Sequence, residues 1–316
     1  MGFFIVKACF GVDSNKDNAT NLLSRACIYI QESKFDDAIV ECDKILQNTN
    51  YLPAYALRGF AYEKIGDYDR ALADANTVIQ LKSDNDAYIS RGLLYVWKKD
   101  YTNALADFNK AIYLNPTNFD SYFFRGNEFY ALGNYKKAIA DFSEAIRIKP
   151  DSYAYLIRGN AYAAVRKLDK AIADYSEAIG LSPQCADAYA GRGLLYSQKS
   201  DYDKGIADCS RAIQIDTNCA VGYTNLAWLL AVSPDTKLRN GQKAVEYAKK
   251  ACELYLWKEP HALGTLAAAY AETGNFEEAL KWEKKCMQSG LSEKEMFQAR
   301  MELYLFQHNK PYHAEK

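Results

Sequence analysis

The stretch from Tyr122 to Pro150, YFFRGNEFYALGNYKKAIADFSEAIRIKP, is the unit from which nearly all of the chain is built. Tyr122, Arg125/Gly126 and Phe129 fall at i, i+3/i+4 and i+7, the spacing of one helical face and not of a strand. Gly133-Asn134 breaks that pattern, and a second run sets Ala138, Phe142 and Ala145 on one face before Pro150 stops it. Two helices forming an αα-hairpin are expected. Gly126 lies inside the first of them, where glycine costs ~1 kcal/mol against alanine. Small residues there let two backbones approach, with Tyr122, Phe129, Tyr135, Phe142 and Ile146 filling the space alongside. One apolar face is left over for a neighbour.

The unit recurs. With the alanine of the second helix as a ruler, the series is Ala38, Ala71, Ala104, Ala138, Ala171, Gly205, Ala244 and Ala279, at intervals of 33, 33, 34, 33, 34, 39 and 35. The first helix returns as YALRGFAY from Tyr55, YISRGLLY from Tyr88, YFFRGNEF from Tyr122, YLIRGNAY from Tyr155 and YAGRGLLY from Tyr189. Weaker copies start at Leu22, Tyr223 and Leu263.

A period near 34, a small residue with an aromatic three later, an A-x-x-x-F element (Ala104/Phe108, Ala138/Phe142) and a late proline (Pro116, Pro150, Pro183) resemble the tetratricopeptide repeat. The likeness runs from about residue 19 to 290. It departs from the family pattern in having tyrosine for its tryptophan and arginine before the glycine, a combination similar to a subgroup common in bacterial chains. The resemblance implies an all-α, right-handed α-solenoid (superhelix) of about eight helix-turn-helix repeats with a C-terminal capping helix. It also implies a non-catalytic protein-interaction scaffold. The expected divisions are a leader at 1–18, repeats one to six at 19–219, repeats seven and eight at 220–290, and a cap with a polar tail at 291–316.

Charge and motifs narrow the function further. Lys+Arg 39 against Asp+Glu 40 leaves a net charge of −1, so no basic field exists to hold a phosphate backbone, and nucleic acid is not an expected partner. The apolar run at the N-terminus is too short for a membrane span or a signal core, although VKAC at Cys9 faintly resembles a lipoprotein cleavage site. A cytoplasmic protein is expected, with export as the alternative if that segment is a truncated signal. No zinc spacing, Gly-rich phosphate loop, HExxH or GxSxG occurs, so neither a catalytic residue nor a metal or cofactor site is expected. Cys42, Cys209, Cys252 and Cys286 fall at or beside core slots and read as small hydrophobes.

Two series of opposite charge keep the same period. Arg25, Arg58, Arg91, Arg125, Arg158 and Arg192 precede the small residue, and Glu41, Asp74, Asp107, Asp141, Asp174 and Asp208 follow the ruler by three. A ladder of ion pairs is expected, each arginine joined to the acid of the preceding repeat. In exposed positions such pairs contribute ~0–1 kcal/mol and chiefly set register. The 39-residue interval places a turn-rich excursion, VSPDTKLRNG, between the seventh pair of helices. The cap is expected to set Met296, Ala299/Arg300, Leu303 and Leu305/Phe306 partly on one face, with Glu293, Lys294 and Glu302 elsewhere, and the tail from His308 to trail away.

In the family the first helices line a concave groove that receives extended or helical peptide. The places one after the small residue hold Phe60, Leu93, Asn127, Asn160, Leu194 and Trp228, and those three before it hold Ile89, Phe123 and Leu156. Contiguous exposed apolar residues mark a partner site, with Asn127 and Asn160 available to bond a peptide backbone. Asp86, Asp120 and Asp187 should edge the groove and favour lysine or arginine in the guest. The lysines of the carboxylate clamp that grips acidic chaperone tails are replaced by Ala56, Ile89, Phe123 and Leu156, and by Asp86 and Asp120. Two alternatives stand beside the peptide scaffold: an adaptor of the co-chaperone type without that clamp, or a homo-oligomer in which a second copy covers the apolar row or the ends stack.

Overall fold

The structure, a computed structural model, describes residues 18–314. The proposed leader, with Cys9, therefore lies outside the described residues. Among those described there are 17 α-helices and no strand. They divide at Lys149/Pro150 into two compact units. In the first unit the pairs are Asn18–Gln31 and Phe35–Leu46 (α1, α2), Leu52–Lys64 and Tyr68–Leu81 (α3, α4), Asn85–Trp97 and Tyr101–Leu114 (α5, α6), and Phe119–Ala131 and Tyr135–Ile148 (α7, α8). In the second they are Ser152–Ala164 and Leu168–Leu181 (α9, α10), Ala186–Gln198 and Tyr202–Ile215 (α11, α12), Ala220–Val232 and Gly241–Leu254 (α13, α14), and Pro260–Glu272 and Phe276–Met287 (α15, α16). Glu293–Gln307 (α17) follows as the unpaired cap. Within each unit every helix packs on its hairpin partner, and each second helix packs on the next first helix.

The turns show why the hairpins form where they do. Gly133 takes a φ of +73°, and Asn134 donates its backbone N–H to Phe129 at 2.7 Å, which closes α7 with a left-handed residue. Asn134 then caps α8, its side chain accepting from Lys137 N. Asp67, Asp100, Asp201 and Asn275 cap their second helices in the same way. The close approach expected at Gly126 is present: a Cβ built there would lie 2.9 Å from Phe142 Cε1 and 3.3 Å from Asp141 Cβ. Phe142 is fully buried, so any larger residue at 126 must push α7 and α8 apart.

The charged ladder exists, but its connectivity differs from the expected one. Each arginine pairs with the acid of its own repeat: Arg125 Nε and Nη2 donate to Asp141 at 2.7 and 2.6 Å, and Arg58–Asp74, Arg91–Asp107, Arg158–Asp174 and Arg192–Asp208 repeat the arrangement. It is the remaining Nη1 that reaches back a repeat, from Arg58 to Asp43, Arg91 to Asn76, Arg125 to Asn109 and Arg192 to Ser176. The pairs are also not exposed; Asp141 is 5% accessible and the Arg125 side chain 20%. Tyr122 and Phe129, three before and four after Arg125, put their ring centroids 5.8 and 6.0 Å from its guanidinium. The repeated Y-x-x-R-G-x-x-Y/F is thus a cation held between two rings and fixed to the partner helix.

Two further corrections concern the C-terminus. The buried face of α17 is Ala299, Glu302 and Phe306, so Glu302 points into the unit and not away from it. The tail does not trail off. Tyr312 lies against Trp228 with ring centroids 5.9 Å apart, His313 Nε2 is 2.7 Å from Glu272 Oε2, and Ala314 N donates to Val232 O at 2.8 Å. The excursion after α13 joins the same corner, where Arg239 Nε donates to Glu272 Oε1 at 2.8 Å.

Candidate partner-binding site

In the first unit the first-helix residues Phe60, Leu93, Phe123 and Asn127 are half-buried, while Ile89 is 7% exposed and so does not line an open face. In the second unit Leu156 is likewise buried at 5%, Asn160 and Trp228 are half-buried, and Leu194 is exposed. The pattern has one cause. Neighbouring first helices touch, α5 against α7 and α9 against α11, and cover most of the positions three before the small residue. Phe123, at the same place in α7, stays half-buried, stacked on Phe119 at 5.3 Å and tilted against Phe142 at 6.0 Å.

The polar residues divide as well. Asn160 Oδ1 already accepts from Tyr175 Oη at 2.8 Å. At Asn127 the equivalent aromatic is Phe142, which has no hydroxyl to offer. Burial pushes the Asp120 carboxyl up from its ordinary value, and the neighbouring charge of Asp86 pushes it further, with Lys149 opposing. These two acids therefore form one negative edge in the first unit. Asp187, in the second, is exposed.

The second unit also contains a cavity of about 520 Å³ between the first helices α11, α13 and α15 and the cap α17. Leu194, Val221, Trp228 and Leu291 form apolar walls, and Glu283 and Glu302 lie among its lining. Sequence reasoning missed both glutamates. The signal was available for one of them: Glu283 stands four after the ruler Ala279, where other repeats place Phe108, Phe142 and Tyr175. The four cysteines read as core residues are buried, and burial pushes the thiols of Cys42, Cys252 and Cys286 up to about 12.

Family models described as tetratricopeptide repeat or TPR repeat match residues 52–85, 86–118, 119–152, 159–200 and 186–219, together about half of the chain. The chain belongs to the tetratricopeptide-repeat family. Solved structures agree on the fold. The C-terminal part of a TPR repeat-containing protein from Cytophaga hutchinsonii aligns at a TM-score of 0.61 and 20% identity, over 77% of this chain and 99% of that one. A tetratricopeptide repeat protein from Parabacteroides merdae aligns at 0.58 and 15% identity, over 81% and 98%. The APC/C hetero-tetramer Cut9-Hcn1 aligns at 0.62 and 16% identity, over 95% of this chain and 58% of that one. No curated protein matches the sequence. Tetratricopeptide-repeat proteins are in general non-catalytic scaffolds that bind protein partners. Among the described residues no helix is long and apolar enough to cross a membrane.

Proposed function

We propose that this tetratricopeptide-repeat protein is a non-catalytic scaffold whose first-helix faces bind an apolar, basic segment of a partner protein. The observation that carries this reading is in the first unit, where half-open Leu93 and Phe123 share the first-helix surface with Asp86 and Asp120. Burial is the first cause of the raised Asp120 carboxyl and the charge of Asp86 the second, so a cation docking beside the two would favour the carboxylate form of Asp120. A lysine or arginine beside an aliphatic or aromatic residue would complement both features. An array of short peptides of random composition, probed with the whole chain, tests the reading. Enrichment of basic-apolar sequences is expected, and enrichment of acidic sequences, or of none, rejects it.

A second copy of the chain is the other occupant favoured by a specific observation. Phe297, Met301 and Tyr304 lie at i, i+4 and i+7 on α17 and are 67%, 50% and 59% exposed. Association through that stripe would make light scattering rise with concentration in the native chain and stay flat in a Phe297→Ser/Met301→Ser variant. A mass independent of concentration in the native chain removes this reading.

A further inference from the structure

The repeat plan calls for an aromatic or small residue where Glu283 stands, and nothing in the surrounding core explains a carboxyl there. The side chain is 1% exposed and its Oε2 has no hydrogen-bond partner. Glu302, on α17, is 4% exposed, and its Oε1 accepts from Gln298 Nε2 at 2.8 Å. Both belong to the lining of the cavity between α11, α13, α15 and α17. A buried carboxyl without a partner opposes folding, whereas an apolar side chain in that slot would not.

We propose that this cavity receives one basic side chain, arginine or lysine, from a partner's bound segment, with Glu283 and Glu302 as its carboxyl floor. This rests on the peptide-binding reading given above. The apolar walls suit the methylene stem of such a side chain, and a guanidinium or ammonium supplies the donors that Glu283 Oε2 lacks. Among the described residues no group of three or more His, Cys, Asp or Glu could hold a metal ion, which favours an organic cation.

Protonation gives the site a signature. Burial pushes Glu283 up to about 9, with the charge of Glu302 adding to it, and pushes Glu302 up to about 7. Burial therefore keeps a proton on Glu283 at neutral pH, and an arriving cation favours the carboxylate. Binding should release a proton and tighten as pH rises from 7 towards 9. The other titratable groups facing the cavity are Tyr255, Glu259, His261, Cys286 and Glu295. Burial raises Tyr255 and Cys286, and bonds from Ser292 hold Glu295 low, so these three keep their charge over that range. A His261→Gln variant removes the histidine from consideration.

The probe is N-acetyl-arginine amide, with N-acetyl-citrulline amide as a neutral control of the same shape, titrated by ligand-observed NMR and calorimetry against the whole chain. At pH 8 the arginine probe should bind at least about tenfold tighter than citrulline. Calorimetry in two buffers should show proton release, and Glu283→Gln should abolish the preference. Glu283→Leu should abolish it too while raising the thermal midpoint, because it removes a buried unpartnered carboxyl; a purely structural glutamate would give a lower midpoint. Equal binding of the two probes, a preference that survives Glu283→Gln, or a lowered midpoint for Glu283→Leu would overturn the proposal. Intact partner binding without the arginine preference refutes the cavity alone. The preference without basic-apolar peptide binding refutes the first-unit face instead.

Discussion

Replacing Arg125 by alanine should destabilise the first unit by ~3–5 kcal/mol, the loss measured when one member of a buried ion pair is removed. The reason lies in what remains behind. Asp141 is 5% exposed and loses both guanidinium bonds, Asn109 loses its own, and the rings of Tyr122 and Phe129 lose the cation between them. The pair itself is not a large net source of stability. At the equivalent Asp74, burial pushes the carboxyl up despite two bonds from Arg58, so desolvation consumes much of the attraction. A double variant, Arg125→Met/Asp141→Leu, should accordingly recover most of the loss. Arg25→Ala is the internal contrast: that side chain is 55% exposed, and its buried partner Glu41 keeps a second cation, Lys44 Nζ donating to it at 2.9 Å, so the removal should cost ~0–1 kcal/mol. Urea unfolding of the three variants checks the argument. A loss below ~1 kcal/mol for Arg125→Ala would mean that the pair is effectively solvated.

The same residues show how much could be read in advance. The hairpin, its period and the small residue at the crossing were legible because each depends on spacing within a single helix, and Gly126 against Phe142 confirms the close approach. The partners of the arginines were not legible. Both the acid of the same repeat and that of the preceding one lie at constant spacing, so periodicity alone cannot choose between them; the rotation of one helix on its partner does. The faces were readable in type but not in exposure. Whether Ile89 or Phe123 is open depends on how closely successive first helices pack, and the two occupy the same repeat position. The returning tail was hidden for another reason: Tyr312 and His313 are anchored by Trp228 and Glu272, far from them in sequence.

The second large effect bears on function. Leu93→Asp with Phe123→Asp places two charges on a face that must lose water when a partner docks, and each should cost at least ~2 kcal/mol of binding if the residue is an anchor. Because Phe123 also stacks on Phe119, circular dichroism and the thermal midpoint must show that the variant is folded, and Leu93→Asp alone serves as the milder test. Asp86→Asn/Asp120→Asn should weaken binding less and flatten its dependence on salt, as expected for groups at the rim. The decisive measurement is the Kd of one basic-apolar peptide, selected on the whole chain, for the native protein and for folded Leu93→Asp/Phe123→Asp. A weakening of about a hundredfold or more is predicted, and an unchanged Kd would contradict the claim that this face binds the partner.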